Sequence, residues 1–258
     1  MKAAFKKIYL WLIFLFLYAP ILVLILFSFN ASKSRGSWEG FSLKWYIALF
    51  QDSQIMNAMF NTVIIAVVAA LLAAIVGTIA AIGIYNLRGW QKNLMINVTY
   101  LPILNPDIVT GISMMLLFIA ISIPRGLFSM IIAHITFGLP YVIISVLPKL
   151  GQMDPQIYDA ALDLGASPGE AYTKVILPQI LPGIFTGFLL AFTMSVDDFV
   201  VSFFVTGNGV SNLAISIYSM ARRGVNPKIN AVLTLLFAVV VGMMYFINRQ
   251  LNKKAIEI

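Results

Sequence analysis

The chain has 258 residues, 60% of them hydrophobic and only 10% charged, with a formal net charge of +7. A soluble domain is about a quarter charged, so this composition describes a membrane protein. Cysteine is absent and His134 is the single histidine, which argues against disulfides, thiolate chemistry, Cys/His metal sites and a histidine-based catalytic triad. No catalytic residue, cofactor or metal site is expected. The basic residues sit at the ends of hydrophobic runs, with no basic stripe interleaved with aromatics. That pattern fits anchoring at a membrane surface better than nucleic-acid binding.

Six runs are long enough to cross a bilayer, which takes about 20 apolar residues. They cover approximately 8–29, 57–85, 94–121, 127–147, 180–205 and 229–248. A backbone in lipid must satisfy its own hydrogen bonds, so each run is expected to be a helix and residues 1–258 to form one all-α membrane domain. The first run follows Lys2, Lys6 and Lys7. It is too long for a signal peptide and no small-residue cleavage site follows, so it reads as a retained signal-anchor. Residues 30–56 carry Trp38, Trp45 and Tyr46, suited to an amphipathic segment at the membrane interface. The third run holds Pro102 and Pro106, which are expected to kink it. The fourth holds His134, read as a hydrogen-bonded packing residue. After the fifth, 206–228 opens on a Gly207-Asn208-Gly209 turn and ends at Pro227.

Basic residues also orient the chain. With both termini cytoplasmic, the inner side carries ten of the 17 Lys and Arg residues, including Lys2, Lys6, Lys7, Lys253 and Lys254. The same orientation places 151–178 in the cytoplasm. Within that stretch Asp154 suits a helix N-cap, Pro155 the first helical position and Gly165 the stop. Ser167-Pro168 starts a second short helix with Glu170 near its N-terminus, and Leu177-Pro178 is expected to turn the chain back into the membrane. Two short helices with a glycine at the bend would make a knob.

The loop reads Asp159-Ala160-Ala161, three residues, Gly165, nine residues, then Val175-Ile176-Leu177-Pro178. It resembles the loop by which ATP-driven (ABC) importers grip their ATPase: Glu-Ala-Ala, three residues, Gly, nine residues, Ile-x-Leu-Pro. Asp159 stands for the Glu and Val175 for the Ile, changes that keep charge and shape. The likeness extends along the chain through Tyr18-Ala19-Pro20, Ser28-Phe29-Asn30, Asn105-Pro106-Asp107, His134-Ile135-Thr136-Phe137, Ser195-Val196-Asp197-Asp198-Phe199-Val200 and Gly224-Val225-Asn226-Pro227. On these strings it resembles the permease subunits of polyamine importers of the spermidine/putrescine type. The resemblance implies a six-helix transmembrane domain of a type I ABC importer in a bacterial inner (plasma) membrane. It further implies a second permease subunit, two cytoplasmic ATPase subunits and an external polyamine-binding protein as partners. ATPase coupling would fall to Asp159, Ala160, Ala161, Gly165, Leu177 and Pro178. No Gly-x-x-x-x-Gly-Lys-Ser/Thr phosphate loop occurs, in keeping with ATP hydrolysis on separate subunits.

Three carboxylates lie within the runs, Asp107, Asp197 and Asp198, and no Lys or Arg lies in the interior of any run. Intramembrane charges usually face a cavity or a partner. Counting from Leu94 and Ile180 at 1.5 Å per residue puts them roughly 20 and 26 Å from the cytoplasmic side, in the half that meets arriving cargo. Acid without base favours a cationic solute, so the three are candidate pathway residues. In one continuous helix Asp197 and Asp198 would diverge by about 100°, leaving one for cargo and one for helix contacts. Carboxylates that only hold helices together are the plainer alternative. Other functions to weigh are a permease for another small solute and a proton-coupled carrier using these aspartates. An intramembrane enzyme fits poorly, since Ser113 and Ser195 have no motif around them.

Overall fold

The computed structural model describes residues 2–33, 37–224 and 227–256, with side chains described from 6 to 242 within those ranges. Arg35, Val225, Asn226 and the side chains of Lys2, Arg249, Lys253 and Lys254 lie outside the described residues. The helices are α1 (Lys2–Ser28), α2 (Lys44–Phe50), α3 (Ser53–Asn86), α4 (Gly89–Leu104), α5 (Asp107–Ala120), α6 (Leu127–Gln152), α7 (Gln156–Asp163), α8 (Pro168–Glu170), α9 (Leu177–Asp197), α10 (Val200–Val205), α11 (Leu213–Arg222) and α12 (Pro227–Ile256). A π-helical segment, Ala171–Ile176, joins α8 to α9.

Among the described residues, four stretches, within α1, α3, α6 and Pro168–Asp197, are long and apolar enough to cross a membrane. The pair α4 and α5 makes a fifth span if taken together. The sixth expected run falls on α12, whose described apolar part is Pro227–Gly242.

Contacts divide the chain into two units, Met1–Met56 with Ile217–Ile258, and Asn57–Ser216. In the first, α12 packs on α1 and α2, and the turn after α1 is organised by buried Asn30. Its Nδ2 donates to Ser37 O (2.7 Å) while its Oδ1 accepts from the amides of Ser32 and Glu39. Trp45 donates from Nε1 to Asn30 O at 2.7 Å and is 8% exposed. Tyr46 pairs its hydroxyl with Ser28 Oγ. Of the three aromatics assigned to the membrane interface, Trp45 is therefore a buried anchor. Its N–H is used by the chain itself.

In the second unit α6 packs along α9, and both meet α3 around Ala73, Ala81, Val142, Val146 and Ile180. Small residues permit the approach, as is usual where lipid removes the hydrophobic drive between helices. A Cβ on Gly187 would lie 2.8 Å from Val142 Cα. A second cluster gathers Ile65, Phe118, Met130, Ala133, Val201 and Val205.

Three expectations need correction. The kink expected in the third run is sharper than a bend within one helix: α4 and α5 are separate helices that meet at 102°. Pro106 offers no amide and pushes the preceding residue out of the α region, and Asn105 is extended at φ −74°, ψ 140°. The fifth run is also broken, because α9 stops at Asp197 and Asp198 is extended. Finally, Leu177-Pro178 makes no turn. It lies in continuous helix from Pro168 to Asp197, where the π segment widens the spiral so that Leu177 N–H bonds to Tyr172 O, five residues back. A proline cannot donate to the carbonyl four residues before it, and a π turn is a common accommodation within a helix.

Candidate functional site

The two breaks meet. Pro102 from α4, Asp107 and Thr110 from α5, Phe137 and Tyr141 from α6, and the stretch from Asp197 to Val201 line one cavity of about 200 Å³. All three aspartates singled out in the sequence are in this wall, and no Lys or Arg is. Drug-sized pockets run from about 300 to 1,000 Å³, so this one suits a small group and not a bulky solute.

The acids are held differently. Asp107 is exposed in the first turn of α5, where the helix dipole favours a negative charge. Asp197 is exposed as the last residue of α9. Asp198 is mostly buried and engaged. Its Oδ1 accepts from Val201 N (3.1 Å) and its Oδ2 from Ser202 N (2.7 Å), capping α10, a contribution of about 1 kcal/mol. Oδ2 is also 3.4 Å from His134 Nε2. The backbone break removes the fixed 100° relation expected of neighbours on one helix, so Asp197 faces the cavity and Asp198 turns inward.

His134 is 2% exposed. Its Nδ1 lies 2.5 Å from Ser195 Oγ on α9 and its Nε2 2.9 Å from Ser202 Oγ on α10. Asn212, 1% exposed, donates from Nδ2 to Ser202 Oγ (2.8 Å) and to Asp198 O (3.2 Å). Among the described residues no buried side-chain polar atom lacks a partner. His134 is thus hydrogen-bonded packing, as expected from its sequence. Asn212 went unnoticed: one asparagine in a polar connecting segment gives no sign that it completes a site.

The rings of Phe137, Tyr141 and Phe199 share the cavity wall with the acids. Anionic oxygens and π faces are the two groups that attract an alkylammonium ion.

The polar loop between α6 and α9 has its own geometry. Asp154 Oδ1 accepts from Gln156 N at 2.9 Å, starting α7. At the other end Gly165 sits at φ +88°, and its N–H bonds to Leu162 O while Ala166 N–H bonds to Ala161 O. This is a Schellman ending, which wants glycine in the left-handed position. Ser167 and Glu170 then form a reciprocal capping box at α8. Asp159 and Ala160 are exposed, whereas Ala161 is turned inward at 8% exposure. Tyr158 stacks obliquely on Tyr172 with ring centres 5.1 Å apart, fixing α7 against the π segment. Leu177 and Pro178 are exposed on the first turn of α9. Leu164, beside the glycine, is 90% exposed, and the motif does not specify it.

Residues 73–257 match the family described as binding-protein-dependent transport system inner membrane component. The chain is 39% identical to the putrescine transport system permease protein PotI of Escherichia coli (strain K12), over 98% of this chain and 92% of that one. It is 37% identical to the spermidine/putrescine transport system permease protein PotC of Haemophilus influenzae, over 93% of each chain. The fold is similar to that of a bacterial ABC transporter involved in the import of the acidic polysaccharide alginate, with a TM-score of 0.79 over 96% of this chain and 95% of that one at 13% identity.

Proposed function

The chain belongs to the family of binding-protein-dependent transport system inner membrane components, and from that membership we propose that it is the polyamine-conducting permease subunit of an ATP-driven importer. It is a multi-pass inner-membrane transport component and not an enzyme. Putrescine or spermidine as cargo is supported by the names of relatives at 37–39% identity. The single observation that carries the reading within this chain is the cavity, where three aspartates and three aromatic rings meet without a base.

Asp107 and Asp197 receive the ammonium groups of a polyamine as it leaves water, and Phe137, Tyr141 and Phe199 flank its methylene chain. Asp198 is not a free ligand. It holds the start of α10 and shapes the wall. Both termini and the 151–178 loop lie in the cytoplasm. Leu164 and Gly165 form the tip that seats in a separate ATPase, with Asp159 and Ala160 on its exposed side. A second permease subunit completes the pathway, and an external binding protein delivers cargo. The basic residues at the inner ends of the spans and the match of the loop to the ABC coupling pattern support this orientation.

The test is uptake of labelled putrescine and spermidine into vesicles holding the assembled transporter, normalised to complex. Uptake should require the ATPase subunit and survive collapse of the proton gradient. Transport that persists without the ATPase, or preference for an anionic cargo, would refute the proposal.

A further inference from the structure

The ring of His134 spans the break in the fifth run. One nitrogen meets Ser195, two residues before the last helical position of α9, and the other meets Ser202, in the first turn of α10. Nothing in the cavity wall requires this ring, since His134 does not line it. Besides it, the two helix ends are joined by the backbone at Asp198 and Phe199, by the Asp198 carboxylate on the Val201 and Ser202 amides, and by Asn212.

We propose that His134 is a positioning residue, a clasp between α9 and α10 that fixes the Asp198–Phe199 break and so presents Asp197 to the cavity. The arrangement has a defined hydrogen-bond sense. A carboxylate only accepts, so the Nε2 facing Asp198 and Ser202 carries the hydrogen and Nδ1 accepts from the Ser195 hydroxyl. Ser202 Oγ also receives the Asn212 amide, and Asn212 secures the Asp198 carbonyl that the break frees. His134, Ser195, Ser202 and Asn212 are each no more than 2% exposed. Burial makes such a network rigid when fully satisfied, and rigidity is what a positioning element needs. Loss of the clasp lets the end of α9 continue or rotate, which carries Asp197 away from the cavity.

The inference rests on the cationic-pathway reading only for its consequence in transport, and the test separates the two. The chain has no cysteine, so a single introduced thiol is its only site for a thiol reagent. Asp197→Cys and, as a second position in the same wall, Thr110→Cys are labelled with a water-soluble thiol reagent in the assembled complex, each with and without His134→Ala. Labelling at position 197 should slow several-fold in the His134→Ala background while Thr110→Cys keeps its rate. Unchanged labelling at 197, or an equal fall at both positions, overturns the proposal. Where His134→Ala prevents assembly, Ser195→Ala removes one arm of the clasp and His134→Gln keeps a donor toward Ser202, and both are read by the same labelling. His134→Gln should recover part of the rate.

A transport arm follows with putrescine as probe. Defects of His134→Ala and Asp197→Asn should be non-additive, with a coupling factor between about 3 and 100 for residues acting through one another. Strict additivity in uptake counts against the clasp. A labelling shift without any effect of Asp197→Asn on uptake would instead refute the cargo reading and leave the positioning role standing.

Discussion

At Asp198–Phe199 a helix is interrupted inside the protein: the Asp198 carboxylate takes up the Val201 and Ser202 amides, the Asn212 amide takes up the Asp198 carbonyl, and His134 bridges Ser195 and Ser202. At Leu164–Gly165 a helix is interrupted at the surface, closed by its own backbone bonds, and the leucine at the tip touches almost nothing. In the proposed reading the first interruption aims Asp197 into the cavity and tolerates little change. The second, in the same reading, offers a contact to the ATPase and depends mainly on one backbone conformation and one apolar side chain. Substitutions at the cavity should therefore alter what is transported. Substitutions at the loop should alter whether ATP hydrolysis is felt.

The largest effect is expected from Asp107→Asn combined with Asp197→Asn. Asparagine keeps size and much of the hydrogen bonding, and a hydrogen bond to a charged group is worth about 1.5–3 kcal/mol. Each change should thus lower polyamine uptake about 10- to 100-fold, with assembly and ATPase association intact. Parental uptake in the double variant would remove the distinction between the two regions.

Gly165→Val comes next. Its φ of +88° costs a residue with a Cβ about 1–2 kcal/mol, and valine cannot shed that strain without moving the tip. Uptake should fall about tenfold, since the strain is converted into lost docking at about 1.4 kcal/mol per decade. Cargo-stimulated ATP hydrolysis should fall with it, while membrane insertion is unchanged. Normal coupling in this variant would take the glycine out of the interface.

Leu164→Ser should be milder, weakening ATPase association about 3- to 10-fold, the range of an ordinary interface residue rather than a dominant one. Co-purification of ATPase with the variant at decreasing concentration measures it, and equal retention would deny the leucine its role.

The smallest effect belongs to neither region and serves as a reference. Lys228 donates to Asp52 at 3.0 Å, and that bond holds the Asp52 carboxyl below its usual value. A lowered carboxyl pKa stabilises the fold above the unfolded value of about 3.9, and the contribution is lost as pH falls through the folded one. Lys228→Met should cost less than about 1 kcal/mol. Its thermal midpoint should sit slightly below the parent at neutral pH, and the gap should close as the medium is taken below the carboxylate range. A gap that widened with acid would contradict this sign.

The sequence conveyed the two regions unequally. The loop was legible because its determinants are local: Asp154, Gly165 and the Ser167/Glu170 pair each act on neighbours within a few residues. The three aspartates were legible because charge is rare in apolar runs. The breaks at Asn105-Pro106 and Asp198–Phe199 were not read as breaks, since an apolar stretch resumes directly on the far side of each and the summed length suits one span. What makes the second one affordable in lipid is supplied by His134 and Asn212, 64 residues before Asp198 and 14 residues after it. The buried bond of Trp45 was illegible for a similar reason, because an aromatic beside a membrane run looks the same whether it meets headgroups or a buried carbonyl. The π segment replaced an expected turn because Pro178 reads as an end to helix, whereas a π turn lets the helix continue past the carbonyl that proline cannot bond.

The most direct test of the central claim uses charge itself. With Thr110→Cys as the only thiol in the assembled transporter, the rates of modification by a cationic and an anionic thiol reagent of similar size are compared, with Asp107 and Asp197 present and after both are changed to Asn. Modification by the cation should be faster, an advantage that disappears in the double variant and is reduced by added spermidine. Equal rates in the parent, or faster modification by the anion, would contradict an acidic pathway for cations through this cavity.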